Sequence, residues 1–198
     1  MYRANSGYMA SEKREPVGRK GAFSFVHNDY FYVSHGDPAW DRKGYSEDEL
    51  LPLQRFSFSS AQWSGVSPAS VDQEPEEQKY WTKLTRDSGV CCAVLDDCAY
   101  TFGGRWKFSY AVHELNLKTM VWRRLEPQNR EDGPLKDKHE GGMVACGDEA
   151  LCIFGGYGIG TGRHQLGAAY HSDDDYYIDL DGCWTNELHV FHIKKGLR

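Results

Sequence analysis

Two stretches of this chain carry the same string of residue types, and that internal repeat constrains the fold more than any single motif. The first runs Asp96-Asp97-Cys98-Ala99-Tyr100-Thr101-Phe102-Gly103-Gly104, then His113-Glu114-Leu115-Asn116-Leu117, then Trp122. The second runs Gly147-Asp148-Glu149-Ala150-Leu151-Cys152-Ile153-Phe154-Gly155-Gly156, then Asn186-Glu187-Leu188-His189-Val190-Phe191. Units of this kind cannot bury an apolar face alone. They form an array in which each unit covers its neighbour, and function falls to the loops at the ends of the units.

An eroded copy precedes these two. Gly21 to Val26 reads as a strand, His27-Asn28-Asp29 as an Asx-rich turn and Tyr30 to Val33 as a second strand. It ends at Ser34-His35-Gly36, where the later copies have Phe-Gly-Gly. A long loop, 37–52, carries a candidate helical turn at Ser46-Glu47-Asp48-Glu49. Leu53 to Phe58 then alternates as a third strand, and Gln62-Trp63-Ser64 starts a fourth. In the second unit, strands are expected over Val90 to Leu95, Ala99 to Phe102, Ala111 to Leu117 and Val121 to Leu125. In the third they fall at Gly141 to Cys146, Ala150 to Phe154 and Leu188 to Ile193, and the sequence stops at Arg198 before a fourth strand and its Trp. A polar leader, 1–15, is expected to be disordered. The array takes 16–198, with units at about 16–70, 79–126 and 133–198. The expected fold is all-β: about three four-stranded units, the last incomplete.

The recurring residues have physical reasons. A glycine pair ends a strand where the chain leaves the sheet with dihedrals that disfavour a Cβ. A Trp near the end of a unit fills the space between adjacent sheets. An open array leaves two faces uncovered, so self-association or poor solubility is expected.

Composition bounds the function classes. A net charge of −6 over 198 residues argues against a nucleic-acid surface. No apolar run approaches the ~18 residues of a membrane-spanning helix. Met1 to Arg14 has no apolar core of the secretory type. Of the six cysteines, Cys91, Cys92, Cys98, Cys146 and Cys152 lie in apolar strand-like runs and read as buried free thiols. Free thiols fit a reducing compartment, nucleus or cytoplasm. No CxxC pair, HExxH or GxSxG occurs. Asp173-Asp174-Asp175 lacks the spacing of a calcium loop, and the glycines from Gly155 to Gly160 lead into no helix pattern. No cofactor, no metal and no catalytic activity are expected.

The order strand, turn, strand-Gly-Gly, strand, Trp resembles the kelch repeat of β-propellers, and covers nearly the whole chain after residue 16. Gly103 to Gly155 is 52 residues, and His35 to Gly103 is 68, near or beyond the ~50-residue kelch period. The third unit resembles a narrower group. There Lys136-Asp137-Lys138 precedes the first strand, Tyr157-Gly158 follows the glycine pair, and an insertion carries Gly182-Cys183-Trp184-Thr185-Asn186. The combination is similar to the family of kelch domain-containing protein 2, substrate receptors of cullin–RING ubiquitin ligases that join through elongins B and C and bind glycine-ending C-terminal degrons.

The resemblance implies a peptide pocket lined by Lys138, Tyr157 and Trp184. It also implies six blades, so the chain reads as an N-terminal half. The later-blade arginines and serine that clamp the peptide carboxylate in that family, and its elongin-binding box, have no counterpart in this sequence. Cullin–RING components are therefore expected as partners only if such a C-terminal part exists.

The chemistry suits the residues. A peptide C-terminus presents a carboxylate, so its pocket needs cations, hydrogen-bond donors and aromatic walls. Lys138 supplies charge, Tyr157 a hydroxyl, Trp184 a wall and an N–H. Each also has a structural alternative: a solvated loop lysine, a ring packed over its own loop, a Trp between blades. Arg105 and Lys107, after the second glycine pair, are candidate rim residues. Charge-assisted hydrogen bonds contribute ~1.5–3 kcal/mol each, while micromolar affinity takes ~8 kcal/mol net of association costs. The chain alone is therefore expected to bind such a peptide weakly. The rival expectation is a general kelch scaffold for another protein partner.

Overall fold

A computed structural model of the chain describes residues 18–38, 53–71, 88–104, 111–125, 138–159 and 182–193. Every regular element among them is a strand. The leader at 1–15, the turn at Ser46–Glu49, the acidic run at Asp173–Asp175, Arg105 and Lys107 lie outside the described residues.

Three sheets follow the three units. Blade 1 is β2 (Phe23–His27), β3 (Tyr30–Ser34), β5 (Leu53–Ser57) and β6 (Gln62–Val66), antiparallel in that order. Blade 2 is β8 (Cys91–Leu95), β9 (Cys98–Phe102), β10 (Val112–Asn116) and β11 (Val121–Leu125). Blade 3 has three described strands, β13 (Gly142–Cys146), β14 (Ala150–Phe154) and β17 (Leu188–His192). Among the described residues this is the expected all-β array of antiparallel sheets, the third with three strands. The chain leaving blade 1 adds β7 (Ala69–Ser70) in parallel to the outer edge of β11, through Ala69 N–H to Met120 O at 2.9 Å and Val71 N–H to Trp122 O at 3.1 Å. That addition covers an edge that would otherwise be open to pairing.

The repeat is visible atom by atom. In each blade the inner hairpin turns on a left-handed residue: Asn28 (φ 51°), Asp96 (φ 52°) or Gly147 (φ 64°). The residue before the second strand then accepts a hydrogen bond from the residue following the third: Phe58 to Asp29 at 2.9 Å, Leu117 to Asp97 at 2.8 Å, Ile193 to Glu149 at 2.7 Å.

Adjacent blades are tied at the heads of their inner strands. Gly21, Gly89 and Glu140, all left-handed, form a chain in which Gly89 N–H donates to Gly21 O (3.1 Å) and Glu140 N–H to Gly89 O (2.8 Å).

Two apolar layers fill the gaps between blades. Strand alternation sends one set of blade 2 side chains each way. Val90, Ala99, Leu115, Leu117 and Trp122 face Phe23, Phe25, Tyr32 and Leu53 of blade 1. Cys91, Ala93, Tyr100, Phe102 and Val112 face Leu151, Ile153 and Phe191 of blade 3. Trp122 is 1% exposed, which matches the space-filling role expected of it. Glu114, also buried, is held by a bidentate pair with Arg123, at 2.7 and 3.0 Å.

The reading of five free thiols needs one correction. Cys91, Cys92 and Cys98 are free, and burial pushes the Cys91 thiol up to about 12. Cys146 and Cys152 are instead joined as a disulfide, their Cα atoms 6.2 Å apart. Cys152 pairs with Val144, two residues from Cys146 on the same face, so the hairpin brings the two sulfurs together.

Candidate functional site

The chain entering blade 3 and the chain leaving its second strand build a small sheet: β12 (Lys138–His139), β15 (Tyr157–Ile159) and β16 (Gly182–Trp184). Lys138, Tyr157 and Trp184, predicted as one pocket, are therefore brought into one sheet. The register sets His139 opposite Tyr157 and Tyr157 opposite Trp184, while Lys138 lies opposite Gly158. Neighbouring residues in a strand point to opposite faces. The aromatic residues thus share one face, and the Lys138 side chain leaves by the other.

On the aromatic face three rings form a ladder. His139 and Tyr157 lie 5.3 Å apart, and Tyr157 meets Trp184 edge-on at 5.4 Å and 70°. Trp184 is 66% exposed, so it is not the inter-blade residue that one reading of the sequence allowed. A large ring held this far into water by a cross-strand partner is exposed aromatic surface in a fixed orientation.

On the other face Lys138 is buried, 3% exposed. Its Nζ donates to Glu187 Oε2 at 2.7 Å, His189 Nε2 at 2.9 Å and Thr185 Oγ1 at 3.3 Å. An ammonium has three donors and no acceptor. His189 Nε2 therefore accepts, its proton sits on Nδ1, and all three Lys138 N–H groups are engaged by the chain itself. The neighbouring 3.3 Å approach of His189 Nε2 to Glu187 then joins two acceptors around one cation. The solvated-lysine alternative is excluded by this burial.

Lys138 thereby anchors the segment 185–187, which follows Trp184. Thr185 N–H to Gly156 O (2.9 Å) and Gly155 N–H to Glu187 O (3.0 Å) stitch the same segment to the glycine pair. The glycines are required by close approach as well as by dihedral. A Cβ on Gly103 (φ 80°) would lie 2.3 Å from Lys138 O, the atom that accepts from Gly104 N–H at 2.9 Å. A Cβ on Gly156 (φ 99°) would lie 2.9 Å from His139 O.

Blade 1 carries a simpler version. There β1 (Arg19–Lys20) pairs with β4 (Asp37–Pro38), and Arg19, the counterpart of Lys138, donates to His35 O at 3.2 Å. His139, Thr185, Glu187 and His189 were not singled out from sequence. The signal for His139 is its place beside Lys138, which puts it on the face Lys138 avoids. His189 occupies the repeat position of His113, which is buried at the blade 1–blade 2 junction.

No protein-family model matches the chain. Kelch domain-containing protein 10 of Rattus norvegicus is 23% identical over 192 residues, covering 72% of this chain and 47% of that protein. Its counterpart in Xenopus tropicalis is 24% identical over 176 residues, covering 64% of this chain and 43% of that protein. The chain thus spans about half the length of the curated relatives it matches. Among solved structures, that of YjhT superposes with a TM-score of 0.47 at 20% identity over 73% of this chain and 46% of that one. The relatives support a likeness to the kelch family. They do not single out the group around kelch domain-containing protein 2.

Proposed function

We propose that this chain recognises protein partners through the loop end of blade 3, with Tyr157 and Trp184 as the contact surface and His139 as its flank. The observation that carries this reading is the ladder of rings ending in a Trp that is two-thirds exposed. The finer form of the proposal is that the partner is a peptide C-terminus ending in glycine, as the likeness to cullin–RING substrate receptors implies. Glycine residues leave room for the chain to lie flat on the rings. In this form Lys138 acts as a positioning residue. Its ammonium fixes the strand end that carries Trp184, and its charge reaches a bound carboxylate only through the field it shares with Glu187 and His189.

The engagement of all three Lys138 N–H groups favours a second reading, a kelch scaffold that takes a partner's apolar surface without selecting a free C-terminus. Tryptophan fluorescence during titration with glycine-ending peptides, free and amidated, separates the two. Binding weaker than micromolar, abolished by Trp184→Ala and at least about tenfold better for the free acid, supports the C-terminus reading. Equal binding of both forms removes that reading and leaves the scaffold. No response in either form, with wild type and Trp184→Ala alike, overturns the site.

Assembly with cullin–RING components and residence in the nucleus or cytoplasm belong to the same proposal. The free thiols Cys91, Cys92 and Cys98 favour that location, and the Cys146–Cys152 bond weighs against it.

A further inference from the structure

We propose that Lys138, Glu187 and His189 form a proton-operated clamp: with His189 neutral it holds the strand end that carries Trp184, and a proton on His189 releases it. The cluster lies inside the blade 2–blade 3 junction. His189 sits opposite Ile153, on the face of β17 that carries Phe191, and Ile153 and Phe191 both pack against blade 2. Lys138 enters from β12 and is 3% exposed.

The switch follows from the hydrogen-bond count. The three ammonium N–H groups have one acceptor each: Glu187 Oε2 at 2.7 Å, His189 Nε2 at 2.9 Å and Thr185 Oγ1 at 3.3 Å. One of these acceptors is an imidazole lone pair, and imidazole is the side chain that ordinarily changes charge between pH 5 and 8. Protonation at Nε2 turns that acceptor into a donor and sets a second positive charge 2.9 Å from Nζ. Glu187 Oε2, 3.3 Å from Nε2, can accept the new N–H only by sharing its charge between two cations. Lys138 is then left with two acceptors for three N–H groups at a site closed to water, and a buried donor without a partner is costly.

Lys138 and Glu187 are the charged groups in contact with His189 among the described residues. On the blade 2 face opposite, the titratable groups are Cys91, Cys98, Tyr100 and Glu114. Burial raises the first three, and Glu114 is engaged by Arg123. His139 lies on the other face of the small sheet, against Tyr157. The clamp reaches Trp184 through 185–187, whose backbone is stitched to Gly155 and Gly156. The closed clamp requires neutral His189 and the released one binds the proton, so falling pH favours release. Its consequence for partner binding rests on the reading of Trp184 as a contact ring; the clamp itself is read without a partner.

Hydrogen exchange followed by NMR on the 198-residue chain, at pH 7.5 and 5.5 and corrected for intrinsic rates, tests this. Protection of the Thr185 and Gly155 amides is expected to fall at the lower pH, by at least about tenfold more in wild type than in His189→Gln, the scale of one hydrogen bond to a charged group. Gln keeps an acceptor oxygen for Nζ and takes up no proton. His35 is present in both chains, so its effect on global stability cancels. The Trp184 indole N–H signal, identified by its loss in Trp184→Phe, is expected to shift over the same range in wild type and in His139→Phe, and to stay fixed in His189→Gln. Equal falls in wild type and His189→Gln, or a Trp184 transition that survives His189→Gln or vanishes with His139→Phe, overturn the proposal. Should His189→Gln lose its β signal, wild type alone decides: the His189 ring C–H and Trp184 indole signals are expected to share one midpoint, and separate midpoints overturn the clamp. If the clamp passes while Trp184→Ala leaves peptide binding unaltered, the contact-surface reading fails and the clamp stands.

Discussion

Trp63 and Trp122 hold the same place in successive blades, yet they live in different surroundings. Trp122 is sealed between two sheets, among Phe23, Phe25, Tyr32 and Leu115. Trp63 is half-buried and, among the described residues, packs on its own blade, 5.4 Å from the Phe56 ring and 6.2 Å from Phe31. The repeat therefore encodes half-junctions, and a neighbour decides whether a half-junction becomes a core. Stability in such an array belongs to the interfaces as much as to the units.

The largest effect separating the two sites is expected from truncation. Trp122→Ala removes a fully enclosed ring and is expected to cost about 3–5 kcal/mol in denaturant unfolding. Trp63→Ala removes a ring with one side in water and is expected to cost less than about 2 kcal/mol. Equal costs would break the comparison.

The same contrast between sealed and open positions reappears in the glycines. Gly103 lies under Lys138 at the blade 2–blade 3 junction, and an added Cβ meets a carbonyl that another hydrogen bond already fixes. Gly147 has a similar left-handed dihedral but nothing within 4 Å of an added Cβ. Gly103→Ala is expected to destabilise by about 3 kcal/mol, and Gly147→Ala by about 1 kcal/mol from the dihedral alone. Thermal melts of the two variants check this. A Gly147→Ala loss as large as that of Gly103→Ala would place the cost in the dihedral and not in the junction.

How far the sequence disclosed these positions depended on how local the cause was. The strand runs, the Asx turns, the glycine pairs and Trp122 follow from side-chain periodicity and dihedral demands, which neighbouring residues dictate. Tyr157 and Trp184 were named from a resemblance, and their sharing of one face follows from strand register. Lys138 was legible as special, but its partners were not. Glu187 and His189 lie 49 and 51 residues away, and only a completed sheet brings them to its Nζ. Strand β7 was equally hidden, because two residues running parallel to β11 leave no periodic trace. The Cys146–Cys152 bond depended on hairpin register, which sets two half-exposed sulfurs on one face instead of in the core.

His35 gives the smallest expected difference between sealed and open positions, and the one that pH reads out. It takes the left-handed place that Gly103 and Gly155 fill in the other blades, with φ 55°. The ring is 1% exposed, stacks on Phe23 at 5.2 Å and shares a 2.7 Å hydrogen bond between Nδ1 and Ser34 Oγ. Burial, reinforced by the charges of Arg19 and His113, pushes its pKa down to about 3. The folded chain therefore keeps His35 neutral, while the unfolded chain protonates it below its ordinary value near 6.5. Below that value the unfolded state binds more protons, so stability falls as pH falls, from about 6.5 down to about 3. By pH 5.5 the loss is expected to be on the order of 1 kcal/mol. Asp29 and Asp97 have their pKa values held below the ordinary carboxylate value, Asp29 chiefly by the Ser59 hydroxyl and Asp97 chiefly by the Lys118 ammonium. They lose stability only at lower pH, so the window from 7 to 5.5 isolates the histidine from both. His35→Gly restores the residue type of the other two blades at a dihedral glycine adopts freely. In denaturant titrations it is expected to unfold more easily than wild type at pH 7 but to lose less stability between pH 7 and 5.5. An unchanged slope would show that water reaches His35, and that the blade 1–blade 2 junction is less sealed than Trp122 indicates.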